Sequence, residues 1–127
     1  MDEHGHHEEL IKSISKEYQD ILANSNQGIY IYLDDIHKIC NKKFAELLGY
    51  QSEAEWAKIE QPFRSVFVDD QSQEILVSSY IDAMEKNIGS TNKIVWRKKD
   101  GSTLNSTVIL VPISHNGHLF ALHFITD

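Results

Sequence analysis

Apolar positions change period along the chain, and each change marks an element. Over residues 8–24, Leu10, Ile11, Ile14, Tyr18, Ile21 and Leu22 share one face at helical spacing. This predicts an amphipathic helix that packs on the rest of the chain or pairs with a second copy. Residues 27–34 switch to period two, with Ile29, Ile31 and Leu33 on one side and Tyr30 and Tyr32 on the other, until Asp34-Asp35 turns the chain. A short strand over 36–40 then runs into NKKFAELLGY, residues 41–50. Asn41 is a good N-cap, Phe44, Leu47 and Leu48 follow at helical spacing, and Gly49 suits a left-handed C′ position. A helix that short is marginal in water, so it must dock, and Ile31 with the inner sheet face is its expected surface.

Ser52 and Glu55 form a capping box for a short helix containing Trp56. Residues 62–68 read as an apolar, helical connection. Asp70 with Gln73 makes a second box that opens the longest central helix, whose expected inner face is Val77, Tyr80, Ile81, Met84 and Ile88, with Gly89 as its stop. Strands over 93–98, 103–114 and 118–126 are joined by Asp100-Gly101 and Asn116-Gly117, both hairpin signals. Two-residue loops would set Trp96 opposite Asn105. Three-residue loops set Trp96 opposite Ser106 and Leu110 opposite Leu122. The second register collects Ile94, Trp96, Leu104, Val108, Leu110, Phe120, Leu122 and Phe124 on one face with Ser106 as its one polar member, and is preferred for that reason. The opposite face, with Ile109, Val111, His123 and Ile125, is too apolar to face water, so the N-terminal helix or a partner must cover it.

Composition narrows the function classes. A chain of 127 residues with 41% hydrophobic content suits one globular domain. A net charge of −7 argues against a general nucleic-acid or anionic-membrane binder. With Cys40 as the single cysteine, there is neither an internal disulfide nor a cysteine-based zinc site, and the thiol is expected to be a small buried hydrophobe. No run of about 18 apolar residues or signal peptide is legible, and the expectation is a cytoplasmic protein. Residues 1–7 read as a disordered terminus, in which His4, His6 and His7 either bind Zn, Ni or Cu or, the preferred reading, have adventitious affinity alone, so no metal site is assigned. No catalytic or phosphate-binding motif occurs, which favours a binding module over an enzyme.

The order is one helix, two strands, a block of short helices, one long helix and three antiparallel strands. Together with GIYIYLDD, N-x-x-F-x-E-L-L-G-Y, VFVDD, WRKKDGS and the ending FITD, it resembles a PAS domain from about Leu22 onward. The resemblance implies an α+β fold: a five-stranded antiparallel sheet with short helices on one face, over 25–127, preceded by a flanking amphipathic helix at 8–24. It also implies a sensory signal-transduction role, from or with a sensor histidine kinase or similar regulator, with a small apolar ligand in the core. The implied pocket is lined by Ile29, Ile31, Phe44, Leu48, Tyr80, Ile81, Met84, Ile94, Trp96, Ser106, Val108, Leu110, Leu122 and Phe124, with Trp96 and Ser106 as its polar handles. The alternative is a ligand-free interaction module, a homodimer held through Ile11, Ile14, Tyr18, Ile21, Ile109, Val111 and Ile125. A signalling effector in cis or in trans completes the expected partners.

Departures from the family pattern leave the cofactor unassigned. Haem-binding members place the ligating histidine just before Ser-Tyr-Ile on the long helix; Ser79-Tyr80-Ile81 is present, but the matching position is Val77. Flavin photoadduct members need a cysteine in the region matching residues 61–67, and none is there. The usual Asp-Ile-Thr ending is Phe124-Ile125-Thr126, which puts the usual C-terminal route of transmission in doubt.

Overall fold

The computed structural model describes the backbone of residues 3–126 and the side chains of residues 6–126. In chain order the elements are α1 (Glu3–Glu17), α2 (Gln19–Asn24), β1 (Gly28–Tyr32), β2 (Lys38–Cys40), α3 (Lys42–Leu47), α4 (Glu53–Ala57), α5 (Phe63–Phe67), α6 (Asp70–Lys86), β3 (Ser90–Arg97), β4 (Thr103–His115) and β5 (His118–Thr126). The strands form one antiparallel sheet in the order β2-β1-β5-β4-β3, as the α+β expectation requires. Residues 3–7 belong to α1, while residues 1, 2 and 127 lie outside the described residues.

Local chemistry explains the short helices. The Asn41 side chain accepts from Phe44 N and so caps α3, and Gly49 follows at φ 85°. Ser52 accepts from Glu55 N, while the Glu55 carboxylate takes Gln51 N. At α6 the cap is Asp69 rather than Asp70, and the helix stops at Asn87, left-handed at φ 57°, before Gly89 is reached. The buried face of α6 is also displaced from the expected one. Ser72, Leu76 and Ala83 are buried, whereas Ile81 and Ile88 are exposed. Small residues let the helix sit close to the sheet, and a pattern read from large apolar side chains overlooks them.

Two loop lengths decide which side chains are inside. Between β3 and β4 a three-residue loop, Lys99 to Gly101, is closed by Lys98 N to Ser102 O at 2.7 Å, with Gly101 at φ 91°. It pairs Trp96 with Leu104, and Ile94 with Ser106, instead of Trp96 with Ser106. This shift preserves the faces. Between β4 and β5 the loop is only Asn116-Gly117, with φ of 51° and 80°, a type I′ pair. Leu110 therefore opposes His123, not Leu122, and the faces of β5 exchange.

The exchange passes through β5 to β1, because Tyr30 pairs with His123 and Ile31 with Leu122. Tyr30, Tyr32, Ala121, His123 and Ile125 face the short helices. Ile29, Ile31, Leu122 and Phe124, expected in the pocket, instead join Phe120 beneath Leu10 and Ile14 of α1. Thus α1 covers the β1–β5 part of the outer face in cis, while Ile109 on β4 is exposed. Phe44, Leu48, Trp56, Phe63, Phe67, Ile94, Trp96 and Val108 form the inner core.

Asn41 ties these layers together. Its Oδ1 accepts from Ile29 N at 3.0 Å as well as from Phe44 N, and its Nδ2 donates to Gln27 O at 2.9 Å. An Asn41→Ala variant is expected to lose about 2–3 kcal/mol, the cap plus the penalty for an unsatisfied buried N–H. Urea unfolding showing a loss below about 1 kcal/mol would contradict this role for Asn41.

Candidate functional site

A cleft of about 240 Å³ opens between the inner sheet face and the α5–α6 side of the molecule. Its floor is Tyr30 and His123, its sides are Tyr32, Phe63, Leu76, Val77 and Tyr80, and Asp35, Pro62 and Arg64 complete the lining. The Tyr30 and His123 rings stack at 3.9 Å and 8°. Phe63 approaches Tyr30 and Tyr32, each at 5.2 Å, and Tyr80 meets Tyr32 edge-on at 5.4 Å. Such edge-to-face contacts hold ring positions beyond what simple area burial provides.

The polar groups in this lining are few and mostly uncharged. Asp35 Oδ1 accepts from Tyr32 Oη and from Phe63 N, both at 2.9 Å, so one carboxylate positions α5 against β1. Burial raises Tyr30, Tyr32 and Tyr80 above the ordinary phenol range, with Asp35 adding to the effect at Tyr32. All three phenols are protonated donors near neutral pH. Burial also pushes His123 down to about 3, while the Tyr30 and Ala121 backbones act in the opposite direction. This histidine is neutral, 2% exposed, and its Nδ1 has no hydrogen-bond partner among the described residues. A buried polar atom left unpaired is costly, and native structures contain few of them.

The polar handles expected from the sequence are not available. Trp96 Nε1 donates to Ser106 Oγ at 2.7 Å, and Ser106 Oγ donates to Ile94 O at 3.1 Å. The pair is satisfied within the core and contributes nothing to the cleft wall. Of the expected lining residues, Tyr80 lies on the cleft. Phe44, Leu48, Ile94, Trp96, Ser106 and Val108 sit deeper in the core, and Leu110 packs with Ala83, Ala121, Tyr80 and Met84. Ile81 is exposed on the far side of α6. Among the expected dimer residues, Ile14 is fully buried by the sheet and Ile125 lies in the inner core; Ile11, Tyr18 and Val111 are half-buried, and Ile21 and Ile109 are exposed.

Sequence reasoning missed His123, Tyr30 and Tyr32 by placing them on the outer face, and did not single out Phe63, Leu76 or Asp35. The signal that could have found them is Asn116-Gly117, the strongest dipeptide for a two-residue hairpin. Cys40 is buried, and burial pushes its thiol up, which suits packing and not reactivity. Lys38, also buried, donates to the carbonyls of Asp35, Ala57 and Ile59 and lies 5.3 Å from the Trp56 ring.

A second cluster lies at the β1–β2 turn. His7 Nδ1 is 2.6 Å from Asp34 Oδ2, and His37 Nδ1 is 2.9 Å from Asp34 Oδ1. Partial burial pulls the Asp34 carboxyl upward, but bonds from His7, His37 and Ile36 outweigh it and hold the group at about 2. No helix of the described residues is long and apolar enough to cross a membrane.

No protein-family model matches the sequence, and no curated protein does. Solved structures do match. The PAS domain of a protein from Colwellia psychrerythraea is 25% identical, with a TM-score of 0.68 over 90% of this chain and 96% of that one. A domain of a sensory box sensor histidine kinase/response regulator from Geobacter sulfurreducens is 15% identical, with a TM-score of 0.63 over 89% and 93%. The PAS domain of a LuxR-family transcriptional regulator from Burkholderia thailandensis, in complex with ethanol, is 13% identical, with a TM-score of 0.64 over 87% and 96%.

Proposed function

Because the chain has the PAS fold, we propose that it is a sensory signalling module whose stimulus is a small, uncharged, planar molecule held in the Tyr30–Phe63–Tyr80–His123 cleft. The observation that carries this reading is the aromatic cleft itself, floored by the stacked Tyr30 and His123 rings and walled by Phe63 and Tyr80. A neutral imidazole can donate from one nitrogen and accept at the other. A ligand's ring would lie among the aromatic walls, and its donor or acceptor would meet His123 Nδ1, buried and unpaired among the described residues, once the imidazole turns toward the cleft. The volume is below the roughly 300–1,000 Å³ of drug-sized sites, so the ligand is compact. The ethanol-bound domain from Burkholderia thailandensis is a precedent for a small occupant in this fold.

Binding affects output only if the ligand favours one arrangement of the protein. Asp35 is suited to that coupling, since it bonds both Tyr32 on β1 and Phe63 at the start of α5. The output lies in an attached or separate effector, and the sensor-kinase neighbour supports a kinase as its class. In this reading the domain is a cytoplasmic binding module without catalysis of its own. A ligand-free dimerisation module is less favoured, because α1 uses Leu10 and Ile14 on its own sheet.

Native mass spectrometry of the full chain, followed by NMR titration with phenol, indole and imidazole, tests this. The expected result is a stoichiometric small molecule, or saturable shifts at the cleft residues that weaken at least about tenfold in Leu76→Trp, which fills the cavity. Absence of both a retained molecule and saturable shifts would rule out the ligand reading.

A further inference from the structure

We propose that His7, Asp34 and His37 form a site for a divalent transition-metal ion of the Zn²⁺ class, which pins the start of α1 to the β1–β2 turn. One donor atom from each residue lies within 4.8 Å of the other two. The three come from positions 27 and 3 residues apart, brought together by docking α1 across the sheet. Two imidazoles and one carboxylate are a donor set suited to Zn²⁺, Ni²⁺ or Co²⁺, whereas Ca²⁺ and Mg²⁺ prefer all-oxygen sites.

Zinc binds nitrogen and oxygen at about 2.0–2.2 Å, which sets neighbouring donors roughly 3.3 Å apart in a tetrahedron. The His7–Asp34 and His37–Asp34 separations are 2.6 and 2.9 Å and widen around an ion, while the two imidazole donor atoms, within 4.8 Å of each other, draw together. Each imidazole binds through Nδ1 as its Nε2–H tautomer, so a neutral ring releases no net proton and a charged one releases one to solvent. Three protein ligands leave a fourth position for water.

The site is also built around its carboxylate. Asp34 Oδ1 accepts from the backbone N–H groups of Ile36 and His37 at 2.9 and 2.7 Å, which orients the group before any ion arrives. Outer bonds of this kind hold ligands in place and commonly affect affinity. His37 is 7% exposed, so its ring is restrained by packing, while His7 is half-buried on α1. The neighbouring residue, Asp35, bonds Tyr32 and Phe63, placing the turn one residue from the cleft wall. The proposal does not depend on a ligand in that cleft.

The test uses the full chain, stripped with chelator and titrated with Co²⁺ by visible absorbance and with Zn²⁺ by calorimetry. One equivalent is expected to bind with a dissociation constant of about 10 μM or tighter, and to raise the thermal midpoint with metal concentration. His7→Ala and His37→Ala are each expected to weaken binding at least about tenfold. His4→Ala and His118→Ala leave it unchanged. If His37→Ala does not fold, Asp34→Asn, which removes a carboxylate ligand outside the N-terminus, decides the matter. Absence of saturable binding at about 100 μM metal overturns the proposal. So does binding that survives either His7→Ala or His37→Ala, or that is lost in His4→Ala, because the ion would then be held by ligands other than the His7, Asp34 and His37 set.

Discussion

Trp96→Ala is expected to lower the unfolding free energy by about 3–5 kcal/mol, the range for deleting a large aromatic side chain from a core. Trp96 is fully buried and meets Tyr30, Phe44 and Phe63 edge-on, at 5.7, 5.4 and 6.2 Å. It also anchors the far edge of the sheet. Val68 bridges to Trp96, Asp69 N donates to Val95 O, and Val95 N donates to the buried Ser72 hydroxyl. The cavity would therefore lie where β3 joins the α5–α6 segment. Urea unfolding monitored by circular dichroism measures the loss as a lower midpoint. Trp96→Phe separates the contributions: the ring is largely retained, the bond to Ser106 is not, and the expected loss is about 1–3 kcal/mol. Equal losses in the two variants would show that the bond to Ser106, and not packing of the ring, accounts for most of the stability at this position.

Acidification is expected to act through His123. In the unfolded chain this imidazole takes a proton near its ordinary 6.5, whereas burial pushes the folded value down to about 3. Between those values the unfolded state holds more protons than the folded state, so stability rises with pH and falls as pH is lowered through that window. One proton corresponds to about 1.4 kcal/mol per pH unit. The contribution is fully present above about 6.5 and is lost progressively down to about 3. His123→Phe keeps a planar ring on Tyr30 and removes the titration. The difference in pH slope between the two proteins, from denaturant melts at pH 6.5, 5.5 and 4.5, isolates this one group. Parallel slopes would mean that His123 is charged in the folded state, and the neutral cleft floor would then be wrong.

Both predictions concern residues the sequence treated differently. Trp96 was legible because β3 and β4 alternate cleanly around Ile94, Trp96, Ser106 and Val108, and the loop between them shifted without exchanging faces. His123 was not legible by the same method. Choosing a register by collecting apolar residues on one face assumes that the other face is wetter. Along β1 and β5 both faces are buried, one by α3 to α6 and the other by α1, so Phe120, Leu122 and Phe124 are as well placed outside as Ala121, His123 and Ile125 are inside. The cluster of His7, Asp34 and His37 was unreadable for another reason. Its members come together only when α1 crosses the sheet, and His37 carries no local signal for that contact.

By itself, the sequence determined what short-range chemistry controls. The caps at Asn41 and Ser52, the left-handed Gly49, the order of helices and strands, and the antiparallel hairpins all follow from groups a few residues apart. Only the tertiary structure decided which face of β1 and β5 meets the short helices, and therefore that the cleft is floored by Tyr30 and His123. The reason is that side chains alternate with period two. One residue in the Asn116-Gly117 loop reverses an entire strand, and when both faces are apolar only the packed layers distinguish inside from outside.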